Sequence, residues 1–384
     1  MVKDSKCLAL TTLCENPQRR TGLTTFFRGL VSSALKLYPN VHWLIFAGPK
    51  EDWPKVDERV RIVRYFPAND RLLPRVWADH IKVPAVAKRM GADVLLTVGF
   101  VPVRKLLPTV MSLLALLHVD PSNRIGGMRQ LYRRLMTRWG IARADLVITN
   151  SFCAASQITA AFPKIAPKLI ISHEGLQTDQ FLPEKESGEA AELKRQFEIE
   201  PGYFLWVSNF QPYRQAELLL EGYASLDVAL RSTHSLVMVG GGWNGGDLSA
   251  AARARALGIE SNVRFLGWVE DRWLAPLYRN ATAFCLASRE ETFGRSVIEA
   301  MACGTPCVVN NIPIMHEVTA GHALIVDFQN RRETTKALSR IVSEPDLHDR
   351  LRSQGLRRAA DFSFEKMTHE RMDAILELLG KVKS

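Results

Sequence analysis

The chain lacks most of the signals that would take it out of the ordinary globular class. Its 384 residues hold six cysteines, Cys7, Cys14, Cys153, Cys285, Cys303 and Cys307. Their spacing fits neither a metal-ligand pattern nor the dense framework of a small secreted domain, which excludes a disulfide scaffold and favours a reducing compartment. Long apolar runs are missing too. "VMSLLALLHV" is about half of the ~20 residues a membrane-spanning helix needs, and "MVKDSKCLALTTLCENPQ" has too short an apolar stretch for a secretory signal. A cytoplasmic protein is expected. There is no internal repeat or low-complexity tract, which excludes a solenoid. Asp-x-Asp does not occur anywhere, so no metal site is implied.

What is present is a basic excess confined to one half. Residues 1–180 hold 26 Lys and Arg against 13 Asp and Glu, leaving 24 against 27 for residues 181–384. Much of it lies in "NRIGGMRQLYRRLMTRWGIARAD", where Arg124, Arg129, Arg133, Arg134, Arg138 and Arg143 share a helical stretch with Leu131, Leu135, Met136 and Trp139. Two readings stay open: a solvated helix face, or contact with anionic lipid or an anionic acceptor, which would make the protein peripheral at the inner membrane face. Nucleic acid is not expected, because no aromatic-basic sheet motif or zinc spacing accompanies the charge.

Short apolar runs alternate with helical patterns along the whole chain. "CLALTTL" precedes "TTFFRGLVSSALKLY", "DHIKVPAVAKRM" precedes "ADVLLTVG", and "ADLVITN" precedes "SFCAASQITAAF". That rhythm is the signature of parallel sheets covered on both faces. After a charged bridge near residues 175–195 it starts afresh with "YFLWVSN", "HSLVMVGGG", "ATAFCLAS" and "TPCVVNN". The fold class expected is α/β with two doubly wound Rossmann-like domains, 1–178 and 179–363. The tail 364–384 forms one amphipathic helix with Met367, Met372, Ile375, Leu376 and Leu379 on its apolar side.

The stretch "SREETFGRSVIEAMACGTPCVVNN" carries the strongest functional signal. "ATAFCLAS" reads as a buried strand, and "SVIEAMAC" as a helix closed by Gly304 and Pro306. The loop between them lies at the carboxyl edge of a parallel sheet, where open α/β folds bind ligands. Amides without internal partners and the helix dipole make such a helix start attractive to an anion, and Gly294 lets a ligand approach the backbone. Taken singly, Ser296 and Glu299 read as a capping box and Glu291 as a solvated loop charge. Taken together, Glu291 and Glu299 sit on the order of 10 Å apart with amides between them, which suits two hydroxyl-bearing groups joined by a diphosphate.

"ETFGRSVIEAMACGTP" resembles the E-x7-E signature of retaining glycosyltransferases of the GT-B fold, family four in particular. The resemblance implies two Rossmann-like domains facing a cleft, with the C-terminal domain binding a nucleoside-diphosphate sugar of UDP or GDP type. It implies Glu291 at the transferred sugar, Thr292, Phe293 and Gly294 as backbone contacts, Ser296 and Val297 at the diphosphate, and Glu299 at the ribose. "YFLWVSNFQPYRQAELLLEGYASL" is similar to the segment that gives the diphosphate a basic pair, with Asn209 and Arg214 where an Arg or Asn and a Lys usually stand. Arg295, or Arg19 and Arg20, are candidates for the second cation. Gly240 and Val269 border the base by the same resemblance, Gly22 faces the diphosphate across the cleft, and His118 lies where a His-containing loop reaches the donor sugar. The final helix is expected to cross back onto the first domain. No cofactor beyond the donor substrate and no metal is implied.

The activity expected from this resemblance is retaining, metal-independent transfer of a sugar to a glycan or lipid-linked acceptor held by the first domain, in synthesis of bacterial surface polysaccharide or lipopolysaccharide. Alternatives remain. "VMVGGGWNGG" contains a literal G-x-G-x-x-G at Gly240, Gly242 and Gly245 with Glu260 twenty residues beyond the first glycine, as in an NAD-dependent dehydrogenase. Glu260, however, precedes the next strand where the fingerprint acid should end it. A catalytically silent GT-B-like binding subunit and a nucleotide-sugar epimerase are the others.

Overall fold

The computed structural model describes residues 5–13, 22–49, 51, 53, 57–64, 72–114, 128–177, 179–242 and 245–383. Contacts divide the chain into two compact units, Met1–Gly175 with Phe364–Ser384, and Leu176–Ser363.

The first unit is built on seven parallel strands: β1 (Lys6–Thr11), β2 (Val41–Phe46), β3 (Val60–Val63), β4 (Val94–Val98), β5 (Thr109–Ser112), β6 (Leu146–Thr149) and β7 (Leu169–Ile171), in the order β3-β2-β1-β4-β5-β6-β7. Parallel strands need both faces covered, so they read as continuous apolar runs. On one face the helix Gly22–Leu37 lays Phe26, Phe27, Leu30 and Val31 over Leu8, Leu10, Trp43 and Ile45. On the other, Val83, Val86 and Ala87 close over Ala9, Leu44 and Phe46. The helix Phe364–Lys383 belongs to the first face, where Met367, Met372, Ile375 and Leu379 join the same core. Its leading ring, Phe364, packs so closely on Gly29 that a Cβ there would lie 2.1 Å from the Phe364 Cζ.

One helical run departs from α geometry. Leu72–Trp77 and Val83–Arg89 are α-helical, and Ala78–Lys82 between them forms a π turn. The periodicity of "DHIKVPAVAKRM" predicts a plain helix. The π turn inserts one residue into the repeat, which turns Asp79 and His80 into the buried interior.

The second unit holds six parallel strands: β8 (Tyr203–Val207), β9 (Leu236–Val239), β10 (Val263–Gly267), β11 (Ala281–Leu286), β12 (Cys307–Asn310) and β13 (Leu324–Val326), in the order β10-β9-β8-β11-β12-β13. Phe204, Trp206, Leu219, Leu220 and Tyr223 form the centre of its core. A buried ion pair, Arg279 to Glu189 at 2.6 Å, ties the helix Glu189–Phe197 to Leu274–Arg279. Asn280 also donates to Glu189 through its Nδ2, so the buried carboxylate is well satisfied.

Both sheets reverse direction once, between β1 and β4 and between β8 and β11. At such a point the loops leaving two neighbouring strands part company and open a crevice at the carboxyl edge, the usual ligand position in this class of fold. Among the described residues no helix is long and apolar enough to cross a membrane.

Candidate functional site

The β8 and β11 exits at the second switch point carry most of the sequence candidates. β8 runs into Ser208–Gln211, a short 3-10 turn at Pro212–Arg214, and Gln215 at φ +52° before the helix Ala216–Ala224. β11 runs into the loop 287–294 and then the helix Arg295–Ala302. The two exits are sewn together. Arg289 N donates to Tyr213 O at 2.8 Å, Arg214 Nη1 donates to Ser288 Oγ at 3.3 Å, and Arg214 makes an ion pair with Glu291. The Arg214 guanidinium also lies over the Tyr213 ring, 4.8 Å from its centroid.

This pair is substantially desolvated: the Arg214 side chain is 18% exposed and that of Glu291 7%. Burial pulls the Arg214 pKa below its ordinary value. Three polar atoms of the β8 exit, Arg214 Nε, Asn209 Oδ1 and Gln215 Oε1, are buried without a hydrogen-bond partner among the described residues. Native interiors rarely leave such groups unsatisfied. A cluster of them at a sheet's switch point marks a place for polar ligand atoms or water.

Gly294 stands at the N-cap of the 295–302 helix at φ +94°, and a Cβ on it would lie 2.5 Å from Met315 Cε. The capping-box reading of Ser296 and Glu299 is therefore corrected. Glycine occupies the cap, no side chain bonds there, and Ser296 is the second helical residue. Val297 N donates to Gly294 O at 2.9 Å, and with no capping side chain the positive end of the helix dipole at this start suits an anion. Phe293 anchors the loop from below, fully buried and set edge-on to Phe362 at 5.7 Å. The Val297 side chain is buried as well, so only the backbones of these two can meet a ligand. Thr292 is half-buried.

Glu299 is held from two sides. Tyr278 OH donates to Oε2 at 3.2 Å and Arg295 Nε to Oε1 at 3.3 Å. Desolvation raises its pKa, and the opposing charge of Arg295 offsets part of that rise. Gly240 is required by close approach: at φ +141° a Cβ would sit 1.6 Å from Ser208 O. A Cβ on Gly246 would likewise lie 2.1 Å from Phe210 O. The glycine turn after β9 thus braces the loop that carries Asn209 and Arg214. Val269 is buried and Trp268 is 63% exposed. Gly22, in the first unit, is the exposed first residue of its helix. His118, Arg19 and Arg20 lie outside the described residues.

Sequence reasoning missed Ser288, Gln215 and Tyr278, which touch or adjoin the named candidates. The signals were faint: a serine closing "FCLAS", a glutamine in a turn, and a tyrosine reading as core. The assembly brings Arg214 to the loop before the 295–302 helix, with Glu291 and Glu299 on either side of the helix start in the sequence. Such a site can grip a charged centre and accept hydrogen bonds from hydroxyls at both ends.

A family model described as glycosyl transferases group 1 matches residues 189–358. The chain is 30% identical over 246 residues to a D-inositol 3-phosphate glycosyltransferase of Actinosynnema mirum, covering 61% of this chain and 58% of that one. It is 26% identical over 233 residues to O-antigen chain mannosyltransferase B of Escherichia coli, covering 60% of each. The chain thus spans less than two thirds of either relative. Among solved structures it superposes on Anabaena HepE in complex with UDP and glucose with a TM-score of 0.74 at 17% identity, covering 97% of this chain and 100% of that one. The fold is GT-B, α/β with two Rossmann-like domains, as the sequence implied.

Proposed function

Residues 189–358 belong to the glycosyl transferases group 1 family, and from that premise we propose that the chain transfers a sugar, with retention, from a nucleoside-diphosphate sugar to a glycan or lipid-linked acceptor. The observation that carries the reading is the buried Arg214–Glu291 pair at the β8/β11 switch point, beside the uncapped start of the 295–302 helix. A diphosphate takes the guanidinium and the positive end of the 295–302 helix, and a sugar hydroxyl takes the Glu291 carboxylate. Each buried charge exchanges one partner for another and is never left alone. Glu299, steadied by Tyr278 and Arg295, accepts from the ribose hydroxyls.

Charge builds on the departing diphosphate as the glycosidic bond breaks. Arg214 and the helix start stabilise it electrostatically. Glu291 orients the sugar and stabilises positive charge at its reacting carbon. HepE was solved with UDP and glucose, which supports a donor of this class. The basic helix Met128–Arg143 supports an acceptor at an anionic surface. Leu131, Leu135 and Trp139 are exposed on it to 54%, 53% and 39%, with Arg138 exposed among them and Arg143 stacked 4.9 Å over the Trp139 ring. Exposed apolar and cationic side chains on one helix match an anionic lipid interface. The O-antigen relative agrees with a surface-glycan acceptor.

The test is a screen of UDP- and GDP-sugars by nucleotide release, followed by two substitutions. Glu291→Ala abolishes transfer without weakening nucleotide binding, and Glu299→Ala weakens nucleotide binding. Unchanged turnover of a confirmed donor in both variants would overturn the assignment.

A further inference from the structure

The other switch point, between β1 and β4, holds a second polar cluster that the donor chemistry does not use. The π turn brings Asp79 and His80 over it. Thr11 at the end of β1 donates through Oγ1 to Asp79 Oδ1 at 2.8 Å. From the β4 side, Val103 N donates to His80 Nδ1 at 3.2 Å and the Phe100 ring lies 5.1 Å from the imidazole. Asp79 is 6% exposed. Its second oxygen receives no hydrogen bond among the described residues.

The nearby acid Glu51 shows by contrast what a structural carboxylate looks like here. It accepts from Thr12 Oγ1 at 2.7 Å, Gly48 N at 2.6 Å and Trp53 Nε1 at 3.3 Å. Asp79, equally buried, has a single donor. Burial raises its carboxyl to about 6, with Glu51 adding to the rise and Thr11 and Arg75 opposing it. A group held that way is short of a partner.

The histidine completes the cluster. Burial lowers its pKa to about 4, so the ring is neutral. Nδ1 accepts the Val103 amide hydrogen, so the ring proton is on Nε2 and is donated to Tyr132 OH at 2.8 Å. The Tyr132 oxygen is thereby occupied as an acceptor, and its own hydrogen is left to donate. Desolvation lifts the phenol to about 12, which keeps it protonated.

We infer that Asp79, Tyr132 and the half-buried face of Phe100 form a subsite for a neutral, hydroxylated ring, the carbohydrate portion of the acceptor. One strong acceptor, one oriented donor and an aromatic face are the elements that recognise a sugar. Asp79 and Tyr132 are specificity-determining residues, with His80 positioning the phenol. The inference rests on the glycosyltransferase reading, and deepens it by naming which acceptor chemistry the first unit holds.

The experiment uses the full chain and methyl α-glycosides of glucose, galactose and mannose as probes. Binding is read by saturation-transfer NMR, and UDP or GDP affinity by calorimetry as an independent check on the second unit. At least one glycoside binds the wild-type chain. Tyr132→Phe and Asp79→Asn each weaken it about tenfold, the loss of one hydrogen bond to a charged or oriented partner, while nucleotide affinity is retained. Tyr132→Phe removes one oxygen from a partly exposed side chain and so answers even if Asp79→Asn does not fold. No glycoside bound by the wild type, or equal binding in a folded Tyr132→Phe, overturns the inference. Failure of the donor reading is seen separately, as loss of nucleotide binding by the wild-type chain.

Discussion

Removing the charge of Glu291 while keeping its shape, Glu291→Gln, isolates what the ion pair does before a donor arrives. In the free chain Arg214 is bound to Glu291, so a diphosphate has to displace that carboxylate to reach the guanidinium. Breaking a fully buried pair by removing one partner costs about 3–5 kcal/mol. With side chains 18% and 7% exposed and Ser288 still bonded to Arg214, the expected loss of stability is smaller, about 1–3 kcal/mol. The same substitution removes the competitor for the guanidinium. Affinity for UDP or GDP therefore rises by roughly three- to tenfold, up to about 1.4 kcal/mol, while sugar transfer is lost. Calorimetric titration of both proteins, with thermal unfolding with and without saturating nucleotide, reads both quantities. Nucleotide raises the unfolding temperature of the variant more than that of the wild type. If Glu291→Gln binds nucleotide more weakly than the wild type, Arg214 is not exchanged between carboxylate and diphosphate, and the reasoning fails.

Asp79→Asn changes the pH dependence of stability. The ordinary carboxyl value is 3.8 and the folded one about 6, so the folded state holds the proton more tightly and stability falls as pH rises from 3.8 through 6. Asn is neutral throughout, so relative to wild type the variant gains about 1–3 kcal/mol between pH 4 and pH 7, measured by urea unfolding at both; equal differences at the two pH values refute this. Gly240→Ala drives a methyl into Ser208 O and destabilises by at least ~2 kcal/mol; a variant of normal stability and nucleotide affinity would show that the glycine turn does not brace the Asn209–Arg214 loop. Leu135→Ser with Trp139→Ser weakens co-sedimentation with phosphatidylglycerol vesicles about tenfold or more, and unchanged partitioning sinks the membrane-surface reading.

The strands and the anion loop were legible because their signals are local. A continuous apolar run such as "AFCL" is a strand wherever it lies, and "ETFGRSVIEA" keeps its candidate residues within one loop and the start of one helix. Residues whose role depends on a distant partner were not legible. Tyr278 reaches Glu299 across 21 positions and Arg214 reaches Ser288 across 74, and no periodicity links them. The capping box failed for a subtler reason: the S-x-x-E spacing is satisfied, but the left-handed Gly294 starts the helix two positions earlier and places Ser296 inside it. The π turn is invisible for a related reason. "RVWADHIKVPAV" satisfies a helical repeat on average, and the inserted residue that buries Asp79 and His80 leaves no compositional trace.

The Phe364 ring, wedged on Gly29, has a consequence for biosynthesis. Residues 1–175 are made before residues 364–383, so the core face covered by Met367, Met372, Ile375 and Leu379 has no cover until that helix has been made. The second unit, Leu176–Ser363, is continuous in sequence and can mature while the first waits with a bare apolar surface. Of the two units the one begun earlier is the one completed later, and a nascent chain stalled before residue 364 leaves that apolar face uncovered.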